Sequence, residues 1–291
     1  MPPTSRTNRP KRAHAVLQFC QNHNLLTLSD FGATCRFDSR CRRWRPAAFR
    51  RRIRRSVVEI SGSGCSGVLI GVRYVLTAAH CTAELSLLVI LKFSLYQDCS
   101  HALVDDVFYP PDERSASIDG YDWPAPDLAM IRLQTPLCGA KPAILSSEPL
   151  TPGKILRTAG YSEGLRSARE ADWIGVRILR SDTDFLMSLF SDPKSNADRL
   201  HQMIQTAVPL FNFARPEKDV EAICKGDSGG PVYSEAGGLV SIYGVTSVVL
   251  SDPKIGNTKC DGSFIQLIVP IQSERNWILA MLETRTKQPV Q

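Results

Sequence analysis

From Ser56 onward, apolar residues come in short runs broken by turns, not at helical spacing. The first runs are Ser56–Ile60, Gly67–Ile70, Tyr74–Thr77, Leu87–Phe93, Leu128–Leu133 and Ile155–Ala159. Trp173–Leu179, Pro231–Tyr233, Leu239–Val245 and Phe264–Val269 follow. β-Branched residues are frequent in them, and Gly or Pro clusters lie between, as at Pro110-Pro111 and from Pro124 to Pro126. Short runs at this spacing predict an all-β barrel or sandwich, not βαβ units. The C-terminus breaks the pattern. Ser273 is placed to cap a helix with Glu274 in its first turn. Trp277, Ile278, Met281 and Leu282 then recur at helical spacing, which predicts a terminal helix packed on the β structure.

The 291 residues suffice for one large domain or two small ones, and 43% hydrophobic content supports a core. No apolar run reaches 18 residues, so no transmembrane helix is expected. The net charge of +6 is unevenly spread. Residues 1–55 hold 14 Lys/Arg against Asp30 and Asp38, which leaves the remainder with 21 Lys/Arg against 27 Asp/Glu. The body is therefore mildly acidic, and the excess positive charge sits in an N-terminal segment that ends in the run Arg50-Arg51-Arg52-Ile53-Arg54-Arg55. Three readings of residues 1–55 stay open: a disordered tail or propeptide, a transit-like or wrongly assigned start, and a nucleic-acid-binding arm. Sparse aromatics and the lack of a motif disfavour the last.

Nine cysteines, Cys20, Cys35, Cys41, Cys65, Cys81, Cys99, Cys138, Cys224 and Cys260, point to an oxidising compartment, secreted or periplasmic. An odd number leaves at least one thiol without an intramolecular partner. Ala13 to Cys20 is too short, and too interrupted by His14 and Gln18, to read as an export signal. Neither CxxC nor HExxH occurs, so no metal site is expected.

Three local patterns carry chemistry. Cys224-Lys225-Gly226-Asp227-Ser228-Gly229-Gly230-Pro231 sets a hydroxyl among glycines, which let the backbone turn sharply and aim N–H groups at one point. A serine nucleophile needs such a pocket and a base. In Tyr74-Val75-Leu76-Thr77-Ala78-Ala79-His80-Cys81, an apolar strand ends in small residues and a histidine. Asp127 opens the apolar run Leu128-Ala129-Met130-Ile131-Arg132-Leu133. Taken singly, these read equally as a glycine-rich turn, a core histidine and a turn residue before a strand.

Taken together, in the order His, Asp, Ser, they resemble the chymotrypsin/trypsin family of serine proteases. The resemblance runs from about Ser56 to the C-terminal helix. It implies two packed six-stranded antiparallel β-barrels with a C-terminal α-helix. The barrels would occupy residues 56–140 and 154–273, the helix 274–286, and residues 1–55 would form an extension. It implies a serine endopeptidase with His80, Asp127 and Ser228 as catalytic triad, and the N–H groups of Gly226 and Ser228 as oxyanion hole. Ser247 would support Asp127, and the main chain from Ser247 to Val249 would pair with substrate as an added strand. Disulfides Cys65–Cys81 and Cys224–Cys260 are implied; Cys99–Cys138 is left open. Ala222 would lie at the base of the primary pocket, with Val249 on one wall and Gly262 or Ser263 on the other. An uncharged Ala222 implies small or medium apolar side chains at the cleaved position.

The family's activating Ile-Val-Gly-Gly-like N-terminus does not occur upstream of Ser56. Asp227, its usual partner, then needs another cation, and Arg157 is the candidate. Tyr161 also stands where a tryptophan is usual. The expected partners are a protein or peptide substrate and a protein inhibitor. No cofactor, nucleic acid or membrane is expected, and the chain would act as a monomer. A rival reading is a protease-fold binding protein without catalysis.

Overall fold

The computed structural model describes residues 53–83, 88–90, 100–111, 114–118, 121–161, 172–189, 197–217, 223–250 and 265–286. Every described residue belongs to the unit Arg52–Gln291.

The strands in chain order are β1 (Val57–Ser61), β2 (Cys65–Leu69), β3 (Tyr74–Thr77), β4 (Leu88–Ile90) and β5 (His101–Phe108). A hairpin follows, β6 (Arg114–Ile118) and β7 (Tyr121–Ala125), then β8 (Ala129–Leu133). Strands β1-β2-β3-β8-β5-β4 close into a barrel, while β6 and β7 pair only with each other. Beyond it lie β9 (Ile144–Leu145), β10 (Ile155–Gly160), β11 (Asp172–Ile178), β12 (Asn212–Pro216), β13 (Pro231–Ala236), β14 (Leu239–Leu250) and β15 (Ile265–Pro270). Their order is β13-β10-β11-β12-β15-β14, and pairing of β13 with β14 closes a second six-stranded antiparallel barrel. Strand β9 adds to β14 in parallel. Closure removes the unpaired edges that an open sheet would present.

Side-chain character explains the closure. Every residue of β2 is buried, and β8 is buried at four of its five positions. Such strands need cover on both faces, which a barrel and its neighbour supply. Core residues of both barrels, from Ile60, Leu76 and Met130 to Phe213, Tyr233 and Val269, form one continuous apolar cluster. Each such side chain contributes about 1.5–3 kcal/mol on burial.

Three helices complete the fold: α1 (Thr183–Ser188), α2 (Ala197–Ala207) and α3 (Ile271–Thr286). The Asp182 carboxylate caps α1 by accepting from the Phe185 N–H. Helix α3 buries Ile278, and Trp277, Met281 and Leu282 pack on the core. It starts at Ile271, so Ser273 lies inside the first turn. The Ser273 hydroxyl donates to Pro270 O at 3.0 Å and does not cap the helix.

The fold also includes residues ahead of Ser56. Ile53–Arg55 form a 3₁₀ turn with Ile53 buried in the core. The Arg55 Nε–H donates to Gly139 O, and the Ser56 hydroxyl donates to Lys141 O.

Candidate active site

His80 stands on a 3₁₀ turn, Ala79–Thr82, just past β3. Ala78 and Ala79 are buried there, where larger side chains would push the turn off the barrel. The Thr82 hydroxyl closes the turn on Ala79 O at 2.7 Å. Asp127 reaches His80 through strand register. Thr77 faces Ala129 across β3 and β8, so continuing that register by two residues sets Ala79 against Asp127.

Asp127 is wholly buried and fully used. Its Oδ1 accepts the His80 main-chain N–H at 3.0 Å, and its Oδ2 accepts from His80 Nδ1 at 2.8 Å. The Ser247 hydroxyl also donates to Oδ2. A carboxylate can only accept, so Nδ1 carries a proton and the lone pair of a neutral ring sits on Nε2. Ser247 owes its aim to a β-bulge: Thr246 pairs with Ile268 and Val249 with Gln266, so β14 carries one residue more than β15 between them.

Ser228 sits on a turn that only glycines can make. Gly226 has φ +101° and Gly229 φ +80°, both in the left-handed region. A Cβ on Gly229 would collide with Ser66 O and Thr77 Oγ1. The Ser228 hydroxyl donates to Ser247 O at 3.0 Å. Among the described residues, the amides of Gly226 and Ser228 have no acceptor. His80, Asp127, Ser247 and Ser228 thus form a chain of contacts that spans the two barrels.

The expected Arg157–Asp227 pair does not form. Arg157 Nη1 donates to Glu235 Oε2 at 3.3 Å, and the buried Asp227 accepts the Cys224 N–H at 2.8 Å through Oδ2. Strand alternation is the cause. Arg157 lies opposite Tyr233 in β13, so Glu235 is its diagonal neighbour on the same face. Asp227 instead abuts Gly160, an odd number of residues further along β10 and hence on the other face.

Cys65 and Cys81 are disulfide-bonded. Cys224 and Cys138 are also in disulfides, while Cys260 and Cys99 lie outside the described residues. Ala222, Gly262 and Ser263 lie outside them too, and Val249 is half-buried at the end of the bulge. Cys65, His80 and Cys81 bring ligand atoms within 4.8 Å of one another, but both sulfurs are consumed by the disulfide. That set is not an open metal site.

Sequence reasoning missed Ser66. It is wholly buried in β2, and its hydroxyl donates to Gly226 O at 2.7 Å and accepts the Tyr161 N–H at 2.8 Å. Its own N–H donates to Ser228 O at 2.7 Å. The only signal in the sequence is one hydroxyl inside the buried run Cys65-Ser66-Gly67-Val68-Leu69.

Residues 65–242 match a family model described as a trypsin-like peptidase domain. Mouse kallikrein 1-related peptidase b1 is 27% identical over 186 residues, which cover 59% of this chain and 66% of that relative's length. Among solved structures, neuropsin, a serine protease expressed in the limbic system of mouse brain, superposes with a TM-score of 0.54 at 20% identity. That match covers 79% of this chain and 95% of neuropsin. Kallikrein-related peptidase 10 gives a TM-score of 0.55 at 16% identity, covering 82% of this chain and 100% of its own. With the motifs inside the matched span and both barrels closed, the chain belongs to the trypsin-like peptidase family.

Proposed function

We propose that the protein is a serine endopeptidase that cleaves peptide bonds through an acyl-enzyme. One observation carries this reading: a wholly buried Asp127 holds His80 through Nδ1, while the same oxygen accepts from Ser247, whose carbonyl holds the Ser228 hydroxyl. A buried carboxylate that fixes an imidazole, and shares its oxygen with the serine whose carbonyl holds the Ser228 hydroxyl, is the arrangement that a catalytic triad requires.

In the proposed mechanism the Ser228 hydroxyl leaves Ser247 O and turns to His80 Nε2. His80 takes its proton as Ser228 Oγ attacks the peptide carbonyl. Asp127 stabilises the imidazolium and keeps its orientation. The oxyanion forms between the N–H groups of Gly226 and Ser228; one such donor is typically worth about 3 kcal/mol of barrier. His80 then protonates the leaving amine, and water hydrolyses the acyl-enzyme by the same route in reverse. Substrate pairs as a strand with Ser247 to Val249, where the bulge interrupts pairing with β15.

Preference for small or medium apolar side chains at the cleaved position is part of the proposal, since Ala222 brings no charge to the pocket base. A peptide library that returned mainly Lys or Arg would sink that part. Secretion into an oxidising compartment is likewise proposed, supported by the disulfides.

A second reading has one observation in its favour. The Ser228 hydroxyl is bonded to main chain and not to His80, as a silent protease-fold binding protein would permit. A fluorophosphonate probe separates the two. Covalent labelling that disappears in Ser228→Ala supports the enzyme, and unlabelled, folded wild-type protein supports the binding protein.

A further inference from the structure

We propose that Ser66, a residue of the first barrel, is a positioning residue for the oxyanion site: its hydroxyl locks the Gly226–Asp227 peptide, which joins the two peptides that carry the Gly226 and Ser228 amides, so that both amides face the reacting carbonyl. The inference rests on Ser228 being the nucleophile.

The argument begins with glycine. Gly226 at φ +101° has no Cβ to restrict it, so nothing local holds the peptide that follows it in one orientation. An oxyanion site needs the opposite, donors fixed before charge develops, because reorganisation during reaction erases their advantage. The lock must therefore come from outside the loop.

Contacts to the loop come from both sides. From the second barrel, Thr246 O accepts the Gly229 N–H at 2.7 Å and Thr246 N–H donates to Gly230 O at 2.8 Å. From the first barrel, Ser66 takes two more loop carbonyls, Gly226 O through its hydroxyl at 2.7 Å and Ser228 O through its N–H at 2.7 Å. The far end of the Gly226–Asp227 peptide is tied by Asp227 N–H to Cys224 O at 3.1 Å. Rotating that peptide would break both of its bonds at once.

The hydroxyl is itself directed. It accepts the Tyr161 N–H at 2.8 Å, and its single proton goes to Gly226 O. Thr77 Oγ1 donates to Ser66 O at 2.8 Å, which fixes the Ser66 main chain. Ser66 is wholly buried, so water cannot stand in for the hydroxyl. The Gly226 and Ser228 carbonyls are both committed to Ser66, and the Gly226 and Ser228 amides, in the adjoining peptides, have no acceptor among the described residues.

A residue that only filled space would affect folding alone. One that positions transition-state donors lowers kcat and leaves KM nearly unchanged. The test uses full-length wild type, Ser66→Ala, and Ser66→Cys, which keeps the volume with a weak S–H donor. Rates per titrated active site are measured on a peptide amide, alongside affinity for a peptide boronic acid, whose adduct with Ser228 is tetrahedral. Expected in Ser66→Ala are a fall in kcat of about tenfold or more, KM within about twofold, and boronate affinity weakened in step with kcat. Ser66→Cys is expected between Ala and wild type. Unchanged kcat per titrated site in Ser66→Ala overturns the proposal. So does unchanged boronate affinity, or failure of both variants to fold, which would make Ser66 a folding residue. Inert wild-type protein would instead refute the peptidase reading, whereas active wild type with an indifferent Ser66→Ala refutes the lock alone.

Discussion

Asp127 grips His80 at two points, the main-chain N–H through Oδ1 at 3.0 Å and the imidazole Nδ1 through Oδ2 at 2.8 Å. The second contact sets the tautomer, the first sets where the ring stands, and Ser247 keeps Oδ2 facing the ring. Asp127→Asn replaces an acceptor with an amide that also donates, so a ring with its lone pair on Nδ1 becomes acceptable. The expected outcome is a fall in kcat of roughly 10⁴ with the fold retained. Rates per titrated site at neutral pH test this; a loss below tenfold would mean that His80 does not need Asp127 to present Nε2.

The Arg157–Glu235 pair predicts a result that separates it from the expected Arg157–Asp227 pair. The Arg157 side chain is over a third exposed, whereas that of Glu235 is nearly buried. Arg157→Ala is therefore expected to leave kcat/KM within about twofold and to destabilise by about 1–3 kcal/mol, because it takes a cation from a nearly buried carboxylate. An activity loss of a hundredfold would show that Arg157 serves the Ser228 loop after all. Peptidase assay and urea unfolding of the same sample give both numbers.

Much of this fold could be read from the chain, for a physical reason. Runs such as Tyr74–Thr77 and Gly67–Ile70 were legible because burial on both faces forces continuous apolar character. Strand β5 (His101–Phe108) was not legible: only Ala102 is buried, with Asp105 and Asp106 paired to Arg132 on the outside. Its place is fixed by the ladder to β8, which composition does not record. The site divides in the same way. His80, Asp127 and Ser228 stand in distinctive local contexts, whereas Ser66 acts through neighbours 160 and 95 positions away. Such separations are invisible along the sequence. The Arg157 assignment failed because period-two alternation, not proximity along β10, decides which carboxylate a strand residue meets.

Gly229 tests whether the Ser228 loop tolerates any side chain. Its φ of +80° disfavours L residues, and a Cβ would strike Ser66 O and Thr77 Oγ1. Backbone strain of this kind costs about 1–3 kcal/mol before the collision is counted. Gly229→Ala is expected to destabilise by more than about 3 kcal/mol and to abolish fluorophosphonate labelling, because Gly229 N–H to Thr246 O and Ser66 N–H to Ser228 O cannot both survive. Gly237→Ala is the control: it also has positive φ, but open space surrounds it. It should lose only the strain and keep full labelling. Equal behaviour of the two variants would remove the steric argument.

Two buried tyrosines predict how stability depends on alkaline pH. Burial pushes the phenols of Tyr161 and Tyr233 above the ordinary value; Glu59 adds to the first and Glu235 to the second. The folded value lies above the unfolded one, so between them the native chain keeps protons that the unfolded chain releases. Their contribution is present in full below pH of about 10, the ordinary phenol value, and is lost as pH rises beyond it. The two differ at neutral pH. Tyr161 Oη donates to Val57 O at 3.3 Å, whereas Tyr233 Oη is buried with no hydrogen-bond partner among the described residues. Tyr233→Phe removes an unsatisfied polar atom, so it should stabilise by about 1 kcal/mol at pH 7, while Tyr161→Phe should cost a similar amount. Urea midpoints at pH 7 and pH 10.5 check both claims. Each variant should show a smaller drop between the two pH values than wild type. A Tyr233→Phe protein less stable than wild type at pH 7 would mean that the phenol oxygen has a partner after all.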